Sequence, residues 1–156
     1  MKRAAAFVAV CAFVVSCGGV DRQKFDKVYN AGRALQADVQ TSGTQPESKS
    51  RDHLKEFDTE IAALQDRTIG IHEVDCLHAY AQAADAYRYF LRFRAMGAEV
   101  DGGIILKGPT LDAATRFKLP VDTRNGAKWV SRAQAITILL QTGEQHLSDG
   151  NRMAGR

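Results

Sequence analysis

Apolar positions recur every three to four residues in four stretches of the chain, the spacing that puts them on one face of an α-helix. The first stretch runs from Asp21 to Val39 and lines up Phe25, Val28, Tyr29, Gly32, Leu35 and Val39. It ends in Thr41-Ser42-Gly43-Thr44-Gln45-Pro46, a polar run rich in helix breakers. The second spans about Ser48 to Arg67, where Leu54, Phe57, Ile61 and Leu64 form one narrow stripe. Ser48 or Ser50 is suited to cap its start, and Gly70 punctuates its end. The third runs from His72 to Met96, with Gly97 placed as a C-terminal cap. Two neighbouring sides of it are apolar, one with Val74, Leu77, Ala81, Ala84 and Leu91, the other with Cys76, Tyr80, Ala83, Tyr87 and Phe90. So wide an apolar arc predicts a central helix, and its many alanines allow a neighbour to approach closely.

The pattern breaks between residues 98 and 126. Asp101-Gly102-Gly103 and Gly108-Pro109 read as turns, and Ile104-Ile105-Leu106 between them as a plug or a short strand. A short helix is expected over 111–118, stopped by Leu119-Pro120, followed by a polar loop from Asp122 to Gly126. A last helix is predicted from about Ala127 to Leu147, with Trp129, Ala133, Ile136, Leu140 and Leu147 facing inward, and residues 151–156 are expected to fray. Together these elements predict an all-α fold, an antiparallel bundle of about four helices with an irregular crossover segment, over residues 21–150.

The N-terminus has a different organisation. Lys2 and Arg3 precede an uncharged apolar run from Ala4 to Val15. That run falls well short of the roughly 20 residues a membrane-spanning helix needs, and it has the length of a signal-peptide core. It closes on Val14-Val15-Ser16-Cys17, which resembles the lipobox of bacterial lipoproteins. The resemblance covers residues 1–19 only, with Val in place of the commoner Leu three residues before the cysteine. It implies a signal peptide over residues 1–16, cleavage before Cys17, diacylglycerol on the Cys17 thiol and a short lipidated tether over 17–20. Two acyl chains anchor stably where one does not, at about 0.8 kcal/mol per buried CH₂. Gly18, rather than Asp, after the cysteine implies outer-membrane sorting in a cell that has an outer membrane. The domain behind the tether resembles no family of known function.

Removing residues 1–16 leaves 19 basic and 18 acidic side chains, so the basicity of the chain comes partly from its leader, and nothing points to nucleic acid. The charge is polarised: residues 18–86 carry 8 basic and 12 acidic side chains, residues 87–156 carry 11 and 6. The simpler account is an acidic half packed against a basic half. The alternative is a basic face built from Arg88, Arg92, Arg94, Lys107, Arg116, Lys118, Lys128 and Arg132, suited to anionic headgroups or an acidic polymer. With Cys11 in the leader and Cys17 lipidated, Cys76 is the one cysteine left to the domain, which excludes an intramolecular disulfide there.

No catalytic constellation or cofactor motif is evident. His72 and Cys76, four residues apart on a helix, are candidate metal ligands, but two ligands do not make a site without others such as His53 or His146. The strongest lead is the end of the third helix. There Tyr87, Phe90 and Phe93, with Arg88, Arg92 and Arg94, either pack into the core or line a contact surface, and aromatic residues and arginine are enriched at interfaces. The expectation is a membrane-anchored envelope lipoprotein with a helical interaction domain that binds an envelope protein or polymer and has no enzymatic role. The alternative is a helical carrier of a small ligand or metal.

Overall fold

The computed structural model describes residues 20–41, 47–67, 70–97 and 102–156. The leader, the lipobox, Cys17 and the tether glycines lie outside the described residues. The fold is mostly helical. Its elements are α1 (Arg22–Thr41), α2 (Glu47–Gln65), α3 (Ile71–Ala95), β1 (Gly103–Ile105), α4 (Pro109–Arg116), β2 (Val121–Arg124), β3 (Ala127–Ser131) and α5 (Arg132–Met153).

The first three helices follow the apolar stripes. Phe25, Val28, Leu35 and Val39 of α1 and Leu54, Phe57, Ile61 and Leu64 of α2 are all buried. α3 is the central helix, packed against α2 on one side and most extensively against α5 on another. Val74, placed on its inner side by the periodicity, is instead 50% exposed, in the first turn of α3. The start of α3 is tied to the start of α1 through Glu73. Its carboxylate accepts from the Gly70 amide at 2.9 Å, the Asp21 amide at 3.3 Å and Lys24 Nζ at 3.0 Å. Burial pushes the Glu73 pKa up, but Lys24 and the two amides outweigh it and hold the carboxyl below its ordinary range.

The packing of α3 on α5 is built on rings set against glycines. A Cβ on Gly143 would lie 2.9 Å from the Tyr87 ring, and one on Gly150 would lie 3.0 Å from the Tyr80 ring. Tyr80 and Tyr87 are seven residues apart, as are Gly143 and Gly150, and the pairing runs in opposite directions, so α3 and α5 are antiparallel. The Tyr80 hydroxyl donates to Asn151 Oδ1 at 2.9 Å, while its ring packs on Phe25 and Phe57 with centroids 6.0 and 6.1 Å away. The buried face of α5 is therefore Ala135, Leu139, Gly143, Leu147 and Gly150. Of the residues the sequence pattern turned inward, Leu147 is buried, Ile136 and Leu140 are half-buried, and Ala133 is exposed. The glycines decide the face because only they admit the tyrosine rings.

The segment between α3 and α5 adds strands to a fold that is otherwise largely all-α. It forms a three-stranded antiparallel sheet in the order β1-β3-β2, with the short α4 between β1 and β2. Trp129 lies on β3, opposite Asp122 and Ile105, rather than on the last helix. Its indole covers Gly103 so closely that any Cβ there would clash with it. Asn125 and Gly126 join β2 to β3 with φ of 49° and 76°, the left-handed pair that a two-residue hairpin turn requires. Ile104 and Val130 carry the inner face of the sheet into the core. Ser131 ends β3 and caps α5, its hydroxyl accepting from the Gln134 amide.

The C-terminal residues are held rather than frayed. α5 continues to Met153, Ala154 is buried, and Arg156 pairs with Asp26 and lies over the Tyr29 ring at 5.4 Å. Among the described residues, no helix is long and apolar enough to cross a membrane.

Candidate functional site

An α-helix turns about 100° per residue, so the aromatic and arginine positions at the end of α3 separate onto different faces. Tyr87, Phe90 and Phe93 are buried and belong to the core, which corrects their assignment to a contact surface. Burial, and then the nearby Glu144 carboxylate, push the Tyr87 hydroxyl pKa up, and that hydroxyl has no hydrogen-bond partner among the described residues. Arg94 is half-buried, with its guanidinium 5.7 Å from the Phe90 ring centre. Arg88 and Arg92 are exposed.

Of the residues proposed for a basic face, Arg88, Arg116 and Arg132 are engaged within the fold. Arg132 donates to the Phe93 and Arg94 carbonyls at 3.2 and 2.5 Å, closing the C-terminal end of α3. Arg116 pairs with Asp85, and Arg88 pairs with both Asp85 and Asp58, the latter at 2.7 Å. Burial works against the charge on Arg88, but the two carboxylates outweigh it and raise its pKa. Asp58–Arg88, Asp85–Arg116 and Asp26–Arg156 each join the acidic half of the chain to the basic half, the simpler account of the charge polarity.

Two concavities flank Arg88. One, of about 260 Å³, is polar and holds Asp58, Asp85, Arg88, Arg116, His78 and Gln82. Its cations are already matched by its carboxylates, so it offers little net charge to a ligand. The other, of about 450 Å³, lies between α2 and the last turns of α3 and is lined by Arg51, Leu54, Arg88, Leu91, Arg92, Ala95 and Met96. Leu54 and Leu91 are nearly buried and form its floor, and three arginines stand round it. Among the described residues, no acidic residue lines it. Arg51 is held by Glu47 at 2.6 Å, whereas Arg92 has no ion pair among the described residues. Arg88 and Arg92 were legible as candidates in the sequence. Arg51 and Leu54 were not, because nothing in the local pattern of α2 shows that they come to lie beside α3.

The metal-ligand candidates point apart. His72 is exposed, while Cys76 is fully buried with its thiol directed at the Gly150 carbonyl, 3.4 Å away. Burial, reinforced by Glu73, pushes the Cys76 thiol pKa up to about 12. His53 is engaged with Asp38 at 2.6 Å on the α1–α2 interface, and His146 lies at a separate cleft with Arg116 and Lys118. Among the described residues, no three metal-ligating side chains converge.

The groove and the start of the domain lie at opposite ends of α3. Glu73 binds Asp21 and Lys24 at one end, and Arg92 stands nineteen residues further along, about 28 Å at 1.5 Å per residue. No family model matches the chain, and neither a curated protein nor a solved structure matches it.

Proposed function

We propose that this protein is a lipid-anchored envelope protein whose domain binds another envelope component through the arginine-rimmed groove between α2 and α3. In this reading α1, α2, α3 and α5 act as one antiparallel four-helix bundle that holds the groove rigid. The observation that carries the proposal is the groove itself: an apolar floor, three guanidiniums round it and, among the described residues, no carboxylate in its lining. Leu54 and Leu91 in its floor are buried in the core, so a partner meets a surface that needs little reordering.

The anchor in this reading is the lipid on Cys17, three residues before Val20. It holds the α1 start toward the membrane and leaves the groove about 28 Å away along α3.

The test is affinity capture of the full chain from cross-linked envelopes, comparing the unaltered protein with Arg92→Glu and with Arg152→Glu as a charge-matched control. Arg152 stands at the far end of α5, paired with Asp149. Loss of a stoichiometric partner in Arg92→Glu alone is the expected result. An unchanged set of partners in Arg92→Glu would move the contact surface elsewhere.

A further inference from the structure

We infer that the groove between α2 and α3 takes a single-chain anionic amphiphile, an alkyl body ending in a carboxylate or phosphate oxygen. The inference rests on the groove being the contact surface and names the chemistry that fits it. Its volume, about 450 Å³, falls inside the range of about 300–1,000 Å³ typical of small-molecule sites. Among the described residues, its side chains divide into two kinds. Leu54, Leu91 and Met96 are apolar, and Arg51, Arg88 and Arg92 are donors that accept no hydrogen bonds.

That division selects the occupant. A sugar or peptide brings O–H and N–H donors, and these would lose water against described lining residues that offer no side-chain acceptor. An acceptor-only head on an apolar body leaves nothing unsatisfied. Its oxygens meet guanidiniums, which bind carboxylate and phosphate in a fork, and its chain lies on the leucines. Arg92 supplies the charge still to be matched, because Arg51 and Arg88 already face Glu47, Asp58 and Asp85.

The chain itself provides the probe. It has three methionines, of which Met96 lines the groove and Met153 is 37% exposed near the opposite end of the molecule. The full chain, labelled with ¹³C at the methionine methyls and held in zwitterionic lipid nanodiscs, would be titrated with octanoate and with octanol. The expected result is a saturable shift of Met96 by octanoate with Met153 unmoved. Octanol binds at least about fivefold more weakly, Arg92→Gln weakens octanoate about fivefold, and Arg92→Lys restores much of the loss. Equal shifts of Met96 and Met153, an unmoved Met96, or octanol binding as well as octanoate would each overturn the inference. Envelope capture reads the broader proposal separately: a partner lost in Arg92→Glu beside a silent octanoate titration would keep the surface and discard the amphiphile.

Discussion

Replacing Gly143 by alanine tests the packing of α3 on α5, the contact that orders the whole core. Two effects oppose each other. Alanine is favoured over glycine within a helix by about 1 kcal/mol. Against this, the new methyl would stand 2.9 Å from one Tyr87 ring carbon and 3.1 Å from two more. Tyr87 is fully buried, so the ring has nowhere to swing, and overpacking of this kind costs about 1–3 kcal/mol. The net expectation is a loss of about 1 kcal/mol. In urea unfolding followed by circular dichroism, that lowers the midpoint by about 0.5 M at an m-value near 2 kcal/mol/M. Shrinking the ring should reverse the sign. In a Tyr87→Leu background, Gly143→Ala becomes stabilising by about 1 kcal/mol, a coupling of about 2 kcal/mol between residues 56 positions apart in sequence. If Gly143→Ala stabilised the unaltered protein by the full propensity difference, the ring does not sit over that glycine and the antiparallel register is wrong.

The two core tyrosines should respond differently to loss of their hydroxyls. Tyr80→Phe forfeits the bond to Asn151 and costs about 1 kcal/mol, whereas Tyr87→Phe, whose hydroxyl lacks a partner among the described residues, is neutral or stabilising in the same urea assay. The Glu73 carboxyl is held below its ordinary value, so its contribution is present above that value and is lost as pH falls through the lowered folded-state pKa. Glu73→Gln should therefore cost about 1 kcal/mol at pH 7 and flatten the acid limb of the stability profile, and an unchanged acid limb would show that the Lys24 and amide contacts do not form. The Cys76 thiol, buried and with its pKa near 12, should react with maleimide at pH 8 only as fast as the domain opens, and labelling at the rate of a free thiol would place it at the surface.

The helices that pack by large side chains were the ones readable from the sequence. Leu54, Phe57, Ile61 and Leu64 announce the inward face of α2 because leucine and phenylalanine carry the burial themselves. α5 is different: its inward face is set by Gly143 and Gly150, and their reason for facing inward is a pair of rings on another helix. No periodicity within residues 132–153 contains that information. The hairpin did have a local signal. Asn125-Gly126 is the dipeptide that most favours a two-residue turn, but reading Trp129 as the first inward residue of a helix hid the strand that follows it. Fraying was expected at the C-terminus from its composition, and what holds Arg156 is Asp26 and Tyr29, more than a hundred residues earlier. The site was half legible for the same reason. Arg88 and Arg92 are visible on α3, their aromatic neighbours turn into the core, and the other wall of the groove comes from α2.

Intact mass spectrometry of the protein recovered from its native membranes tests the central claim, that this domain is held in the envelope by a lipid on Cys17. The expected species begins at Cys17 and carries a diacylglyceryl group, and Cys17→Ser abolishes both the added mass and the membrane association. A protein recovered with an unmodified Cys17, or with its N-terminus elsewhere, would contradict the anchor.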